Sequence, residues 1–351
     1  MELIQNRHDA IKKKNKIFFI LIIFFTTIAF VLRFLLTVFE INPKTNLYEG
    51  AGPLIIFFDY AIAGVILFIW LSSKFMYREK IRFVDIDGDK MTQSKKGIVY
   101  HESASVMVQG TQTLVISSSL TGFLLVASFV LQILDIINDP VWKNNLSGYI
   151  KNNTFDFILI FAAILGAVYF FKTASLRPIG TTLGDNDAAI PKFSQGYILF
   201  SFFPIIWVFL NIFKCFFDMN KSVNSPIRIY ELVCFLSLSL YLVAESRILV
   251  GKRETSKFFS FAYTSILLTS LSALPNFILS SFWILETSTP VIVYGVQISL
   301  LLYISSRIYS QIKYGEYLLI KAPSNEKSPS KDLESVEQDK EDEQDKEREE
   351  N

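Results

Sequence analysis

Apolar residues fill this chain in eight blocks, at about 17–39, 53–73, 114–137, 155–175, 197–217, 227–249, 259–285 and 290–312. Uninterrupted runs such as 17–39 and 157–171 lack the polar face that a soluble helix turns to water, and several blocks exceed the roughly 18 residues that argue for a bilayer span. The pattern predicts an all-α, polytopic transmembrane helical bundle of about eight spans occupying 17–312. The first block follows Arg7, Lys12, Lys13, Lys14 and Lys16 as a signal peptide would. Its apolar run is longer than the usual ~7–15 residues and no small-x-small site follows, so it is expected to stay as a span.

The polar connectors alternate in charge. Of the 34 Lys and Arg, 27 fall in the N-terminal segment 1–16, in the second, fourth and sixth loops with their flanking span ends, and in the C-terminal stretch. The other loops hold Lys44, Lys143, Lys151, Lys221 and Arg228. Basic residues of short loops are retained on the cytoplasmic side, which predicts that both termini are cytoplasmic (N-in/C-in). The longest loop, 74–113, is on the basic side. It opens with Lys74, Arg78, Lys80 and Arg82 among Phe75, Met76, Tyr77 and Ile81, so residues 74–82 suit anionic lipid headgroups, although positive-inside bias alone would give the same residues. Asp85-Ile86-Asp87-Gly88-Asp89 resembles the start of a calcium loop. Lys90 stands where glycine is needed and Lys96 where a bidentate Glu is needed, so a β-hairpin turned near Asp87-Gly88 is the better reading.

Beyond Tyr317 the pattern ends. Residues 322–351 hold twelve acids against five bases, with Glu-Gln-Asp-Lys-Glu repeated from Glu337 and from Glu343. Such a segment has little apolar surface to offset the entropy of ordering, and a disordered acidic cytoplasmic tail is predicted. It could shield the basic inner face or hold a cytoplasmic protein partner, and solubilisation alone would also account for it.

Composition narrows the chemistry. The chain is 51% hydrophobic and 15% aromatic, and abundant Phe, Ile, Lys and Asn suggest an AT-rich, bacterial genome and hence a plasma membrane. Cys215 and Cys234 fall inside spans and make no disulfide framework. The two histidines, His8 and His101, lie outside the spans, so no Ser-His pair, zinc site or haem ligand pair can form within them. Gly180 and Gly184 lack the Lys of a phosphate-binding loop. Glu40 and Glu49 are few carboxylates for transfer chemistry on the outer face. Asn145, Asn152 and Asn220 begin Asn-x-Ser/Thr triplets, which matter only in a eukaryotic chain. No catalytic residue, metal, cofactor or nucleic-acid partner is expected, and an enzyme is less favoured than a binding protein.

Charges inside the blocks are the candidate site. Arg33 and Asp59 lie at one depth in neighbouring spans, six residues from their outer ends, and Lys214 and Glu231 repeat the arrangement. Asp135 and Asp156 flank the third hairpin without a basic partner there. Each opposite pair could staple its hairpin, or Arg33, Asp59, Asp135, Lys214 and Glu231 could line an outward-facing cavity. Pro204, and Pro275 with Asn276, are candidate helix breaks, which are tolerated at depth beside protein or a wet cavity. Near the inner face Glu245 with Arg247, and Arg307, could form a second polar layer, although snorkelling suffices to explain them. Trp70-Leu-Ser-Ser-Lys and Tyr303-Ile-Ser-Ser-Arg close the second and eighth spans alike, as a duplicated hairpin or as ordinary inner-end grammar. The leading expectation is a non-enzymatic, carrier-like protein that binds a small solute or ion near the outer leaflet, with Asp59 and Glu231 as acceptors and Arg33 and Lys214 as their competitors or anion contacts. The alternative is a membrane sensor or scaffold acting through the basic loop and tail.

Overall fold

The computed structural model describes residues 2–42, 45–50, 52–77, 81–84, 98–101, 109–138, 153–176, 194–217, 225–250, 255–285, 287 and 289–314. In chain order these form α1 (Glu2–Glu40), α2 (Gly52–Met76), β1 (Ile81–Val84), β2 (Ile98–His101), α3 (Gln112–Asn138), α4 (Thr154–Ser175), α5 (Gln195–Phe200), α6 (Phe202–Phe217), α7 (Pro226–Leu249), α8 (Thr255–Ser281) and α9 (Val291–Tyr314). Eight of the resulting segments are long and apolar enough to cross a membrane, α5 and α6 counting as one. They match the eight apolar blocks, and the seventh begins four residues earlier than its block because Thr255-Ser256-Lys257 is already helical.

The basic N-terminal segment is continuous with the first span, since α1 runs unbroken from Glu2. β1 and β2 pair antiparallel with Val84 opposite Ile98, and the connection between them carries Asp87-Gly88. That connection, Gly180–Asp185 and the tail 322–351 lie outside the described residues.

Local chemistry explains the helix ends. α7 starts with Pro226 in its first turn, where a missing N–H costs nothing, and Ser225 before it donates to the Asn46 carbonyl at 3.0 Å. α8 ends in a left-handed residue, Trp283 (φ 58°), with Ile284 N–H bonded to the Leu279 carbonyl and Trp283 N–H to that of Ser280. Those two bonds define a Schellman stop, which usually employs glycine. The α5–α6 break falls at Ser201, three residues before Pro204. Proline lacks the N–H that the Phe200 carbonyl needs and its ring crowds that carbonyl. Pro275, by contrast, lies within an uninterrupted α8.

The packing places α8 at the centre, against α1, α2, α7 and α9, while α3, α4 and α6 extend the bundle on the far side of α7 and α9. α8 is the least apolar span, yet 89% of its core window is buried; α1 and α2, the most apolar, bury only 28% and 22%. Along α8 the residues Ser260, Thr264, Ser265, Thr269, Ser270, Ser272 and Asn276 are all buried. Small polar side chains let helices approach and bond across: Ser265 Oγ donates to the Ser237 carbonyl at 2.7 Å, and Cys234 Sγ to Thr269 Oγ1 at 3.6 Å.

The two ends of the bundle are fastened differently. At the end where α1 begins, Tyr77 stacks on Phe259 (centroids 3.9 Å) and bonds Tyr263 at 3.0 Å, and Ser256 donates to the Ser73 carbonyl. Burial pushes the Tyr77 phenol well up, which keeps it protonated for that bond. The two similar pentapeptides are not equivalent here, since Trp70 and Lys74 face outward and Tyr303 and Arg307 are enclosed.

Candidate functional site

The sequence-derived charge layer separates into several places. Arg33 is buried, with Nη1 donating to the Tyr48 hydroxyl and its guanidinium 4.0 Å from the centre of the Tyr230 ring. The Tyr230 hydroxyl in turn donates to Asp59 Oδ1 at 2.5 Å. The expected Arg33–Asp59 pair is therefore a chain through a tyrosine of α7, with Asp59 exposed on α2. Lys214 pairs with Asp156 on α4 at 3.0 Å rather than with Glu231, because α6 packs on α4 as well as on α7 and the exposed side of α6 faces that carboxylate. Both partners are well exposed, so the pair contributes little to stability. Asp135 is exposed near the end of α3 and bonds to none of the described residues. Among the described residues, Arg33 and Asp59 thus meet through Tyr230, while Lys214 and Glu231 each bond to other partners.

Glu231 is fully buried where α6, α7, α8 and α9 meet. Oε1 accepts from the Tyr294 hydroxyl and from Asn276 Nδ2 at 3.3 Å; Oε2 accepts from Thr289 Oγ1 at 3.2 Å and Cys215 Sγ at 3.5 Å. Asn276, expected as part of a helix break, thus serves as a carboxylate contact. Arg228, one turn earlier on α7, is also buried and holds the end of α6 by donating to the Cys215 and Phe216 carbonyls. Four donors can fill the acceptor sites of an ionised carboxylate. Tyr294 and Thr289 are hydroxyls, which can rotate and offer lone pairs instead; an arriving proton or small cation would find acceptors without rebuilding the backbone. Pro204 is buried too, and at the neighbouring break the Ser201 carbonyl accepts from Ser246 Oγ on α7 at 3.4 Å.

A second interior layer lies fourteen residues along α7, about 21 Å away at 1.5 Å per residue. Glu245 and Arg307 are each 1% exposed and pair at 3.0 Å. Tyr303 also donates to Glu245 Oε1, while Arg307 bonds Gln109 Oε1 at 2.9 Å and the Tyr303 hydroxyl at 2.8 Å. Snorkelling does not describe these residues: the guanidinium turns inward to a carboxylate on another helix. The signal was present in the sequence, since Glu245 and Arg307 stand at one depth from the ends of their blocks, as Arg33 and Asp59 do.

The layer is incompletely bonded. Among the described residues, Glu245 Oε2 and Gln109 Nε2 are buried without a hydrogen-bond partner. Neither the Tyr241 hydroxyl, beside Glu245, nor the Tyr169 hydroxyl, beside Tyr197, makes a hydrogen bond of ordinary geometry. No three His, Cys, Asp or Glu side chains converge among the described residues. Neither a protein family, nor a curated protein, nor a solved structure matches this chain.

Proposed function

We propose that the chain is an integral, multi-pass membrane protein of the carrier type, which binds a small cation, the proton included, at Glu231 between α6, α7, α8 and α9. The fully buried Glu231 with its rotatable Tyr294 and Thr289 hydroxyls carries this reading. An ionisable group enclosed in a membrane-length bundle is costly to keep and is a functional candidate for that reason. Membrane residence is supported by the inverted polarity of the bundle, whose most apolar spans are its most exposed. Basic-loop alternation supports cytoplasmic termini, which would put Glu231 toward the outer leaflet, and composition supports the plasma membrane of a bacterium.

In this reading the Arg33–Tyr230–Asp59 chain fastens α1 and α2 to α7, and Lys214–Asp156 fastens α6 to α4. Purified protein in phosphatidylcholine vesicles, with an entrapped pH dye or with radiolabelled sodium outside, tests the site. Wild type should move protons or sodium down an imposed gradient, and Glu231→Gln should cut the rate at least about tenfold at equal reconstitution. Equal flux through wild type and Glu231→Gln would remove Glu231 from the path.

A further inference from the structure

We propose that the Glu245–Arg307 layer is a binding site for a small zwitterion of the α-amino acid type, distinct from Glu231 and independent of what Glu231 does. The layer draws buried side chains from several elements: Tyr169 and Thr173 come from α4, Tyr197 from α5, Tyr241 and Glu245 from α7, Tyr303 and Arg307 from α9, and Gln109 from the segment before α3. Buried polar atoms are nearly always bonded, to protein or to something held there. Here the atoms without ordinary bonds are of both kinds. Glu245 Oε2 accepts, Gln109 Nε2 donates, and the Tyr241 and Tyr169 hydroxyls can do either.

Charge selects the ligand. The pair sums to zero, and removing either partner's compensation inside a bundle is strongly unfavourable. A lone cation would compete with Arg307 for Glu245, and a lone anion would compete with Glu245 for Arg307. A molecule bearing both charges can answer both members of the pair, its ammonium on Glu245 Oε2 and its carboxylate on the Gln109 Nε2 amide beside the Arg307 guanidinium. The tyrosine rings that surround the pair, Tyr169 and Tyr197 stacked at 5.2 Å and Tyr303 beneath the Arg307 guanidinium at 5.3 Å, give π-faces to an ammonium and apolar surface to a side chain.

The experiment uses the purified full chain in detergent, with glycine, L-alanine and L-phenylalanine as zwitterions and alaninamide and propionate as single-charge analogues. Binding is read as a concentration-dependent rise in Tm and by calorimetry. At least one zwitterion should bind, at least about tenfold tighter than either analogue. Tyr241→Phe, which removes a hydroxyl without an ordinary bond, should fold normally and weaken binding about three- to tenfold. The double variant Glu245→Met/Arg307→Met, which keeps the layer neutral, should fold and lose binding altogether, whereas Thr27→Ala on the exposed side of α1 should bind as wild type does. No binding by any of the three zwitterions, analogues binding as tightly, or unchanged zwitterion affinity in the double variant would each overturn the proposal.

Discussion

A buried acid is defined by what its two oxygens touch, and α7 offers two contrasting cases. Glu231 has donors on both oxygens, whereas Glu245 has its partners on one and none on the other. Their energetics should differ accordingly. Glu245→Met or Arg307→Met alone leaves an uncompensated charge in the bundle and should cost about 3–5 kcal/mol, while the double variant should recover most of that loss. A double-mutant cycle on Tm in detergent measures the coupling. Additive single losses would mean that the two charges are compensated by other groups.

Among the elements, the hydrophobic blocks were legible because a span needs an unbroken apolar run, and only the protein-facing α8 dilutes that run with Ser and Thr. Partner choice was not legible. Depth along a hairpin says which charges share a level but not which helix lies beside them, so Lys214 stands level with Glu231 while α4 supplies its partner, Asp156. The same rule of equal depth sets Glu245 level with Arg307, and there the pairing across helices distant in sequence is the one observed. Proline was equally ambiguous: Pro204 accompanies a break and Pro275 does not. Close helix approach can be tested at two glycines. A Cβ on Gly122 of α3 would lie 2.9 Å from the Phe171 ring, so Gly122→Val should destabilise by about 1–3 kcal/mol. On Gly166 it would meet the Pro204 backbone at an ordinary 3.5 Å, and Gly166→Ala should be nearly neutral. Thermal unfolding that ranks the two the other way would contradict the α3–α4 contact.

Across the whole molecule, the bundle turns Phe57, Tyr60, Phe75, Phe123 and many other large apolar side chains outward. That surface suits hydrocarbon rather than water. Cysteine labelling tests the proposed orientation. Native Cys215 and Cys234 are buried, so background is low; Thr45→Cys and Ser175→Cys place exposed thiols at opposite ends. A membrane-impermeant maleimide applied to intact cells should label the first and not the second. Labelling of Ser175→Cys alone would reverse the assignment.

The polar central helix has a bearing on how such a protein is made. A segment that carries Ser, Thr and Asn around much of its circumference gains least from lipid on its own, and its bonds to Ser237, Cys234 and Glu231 all belong to α7. α7 emerges from the ribosome immediately before α8, so the two can leave the insertion machinery as a hairpin with those groups already matched. On the proposed membrane residence, biogenesis of this bundle would depend on the order of its helices, and a version circularly permuted between α7 and α8 would have to insert α8 before the helix that satisfies it.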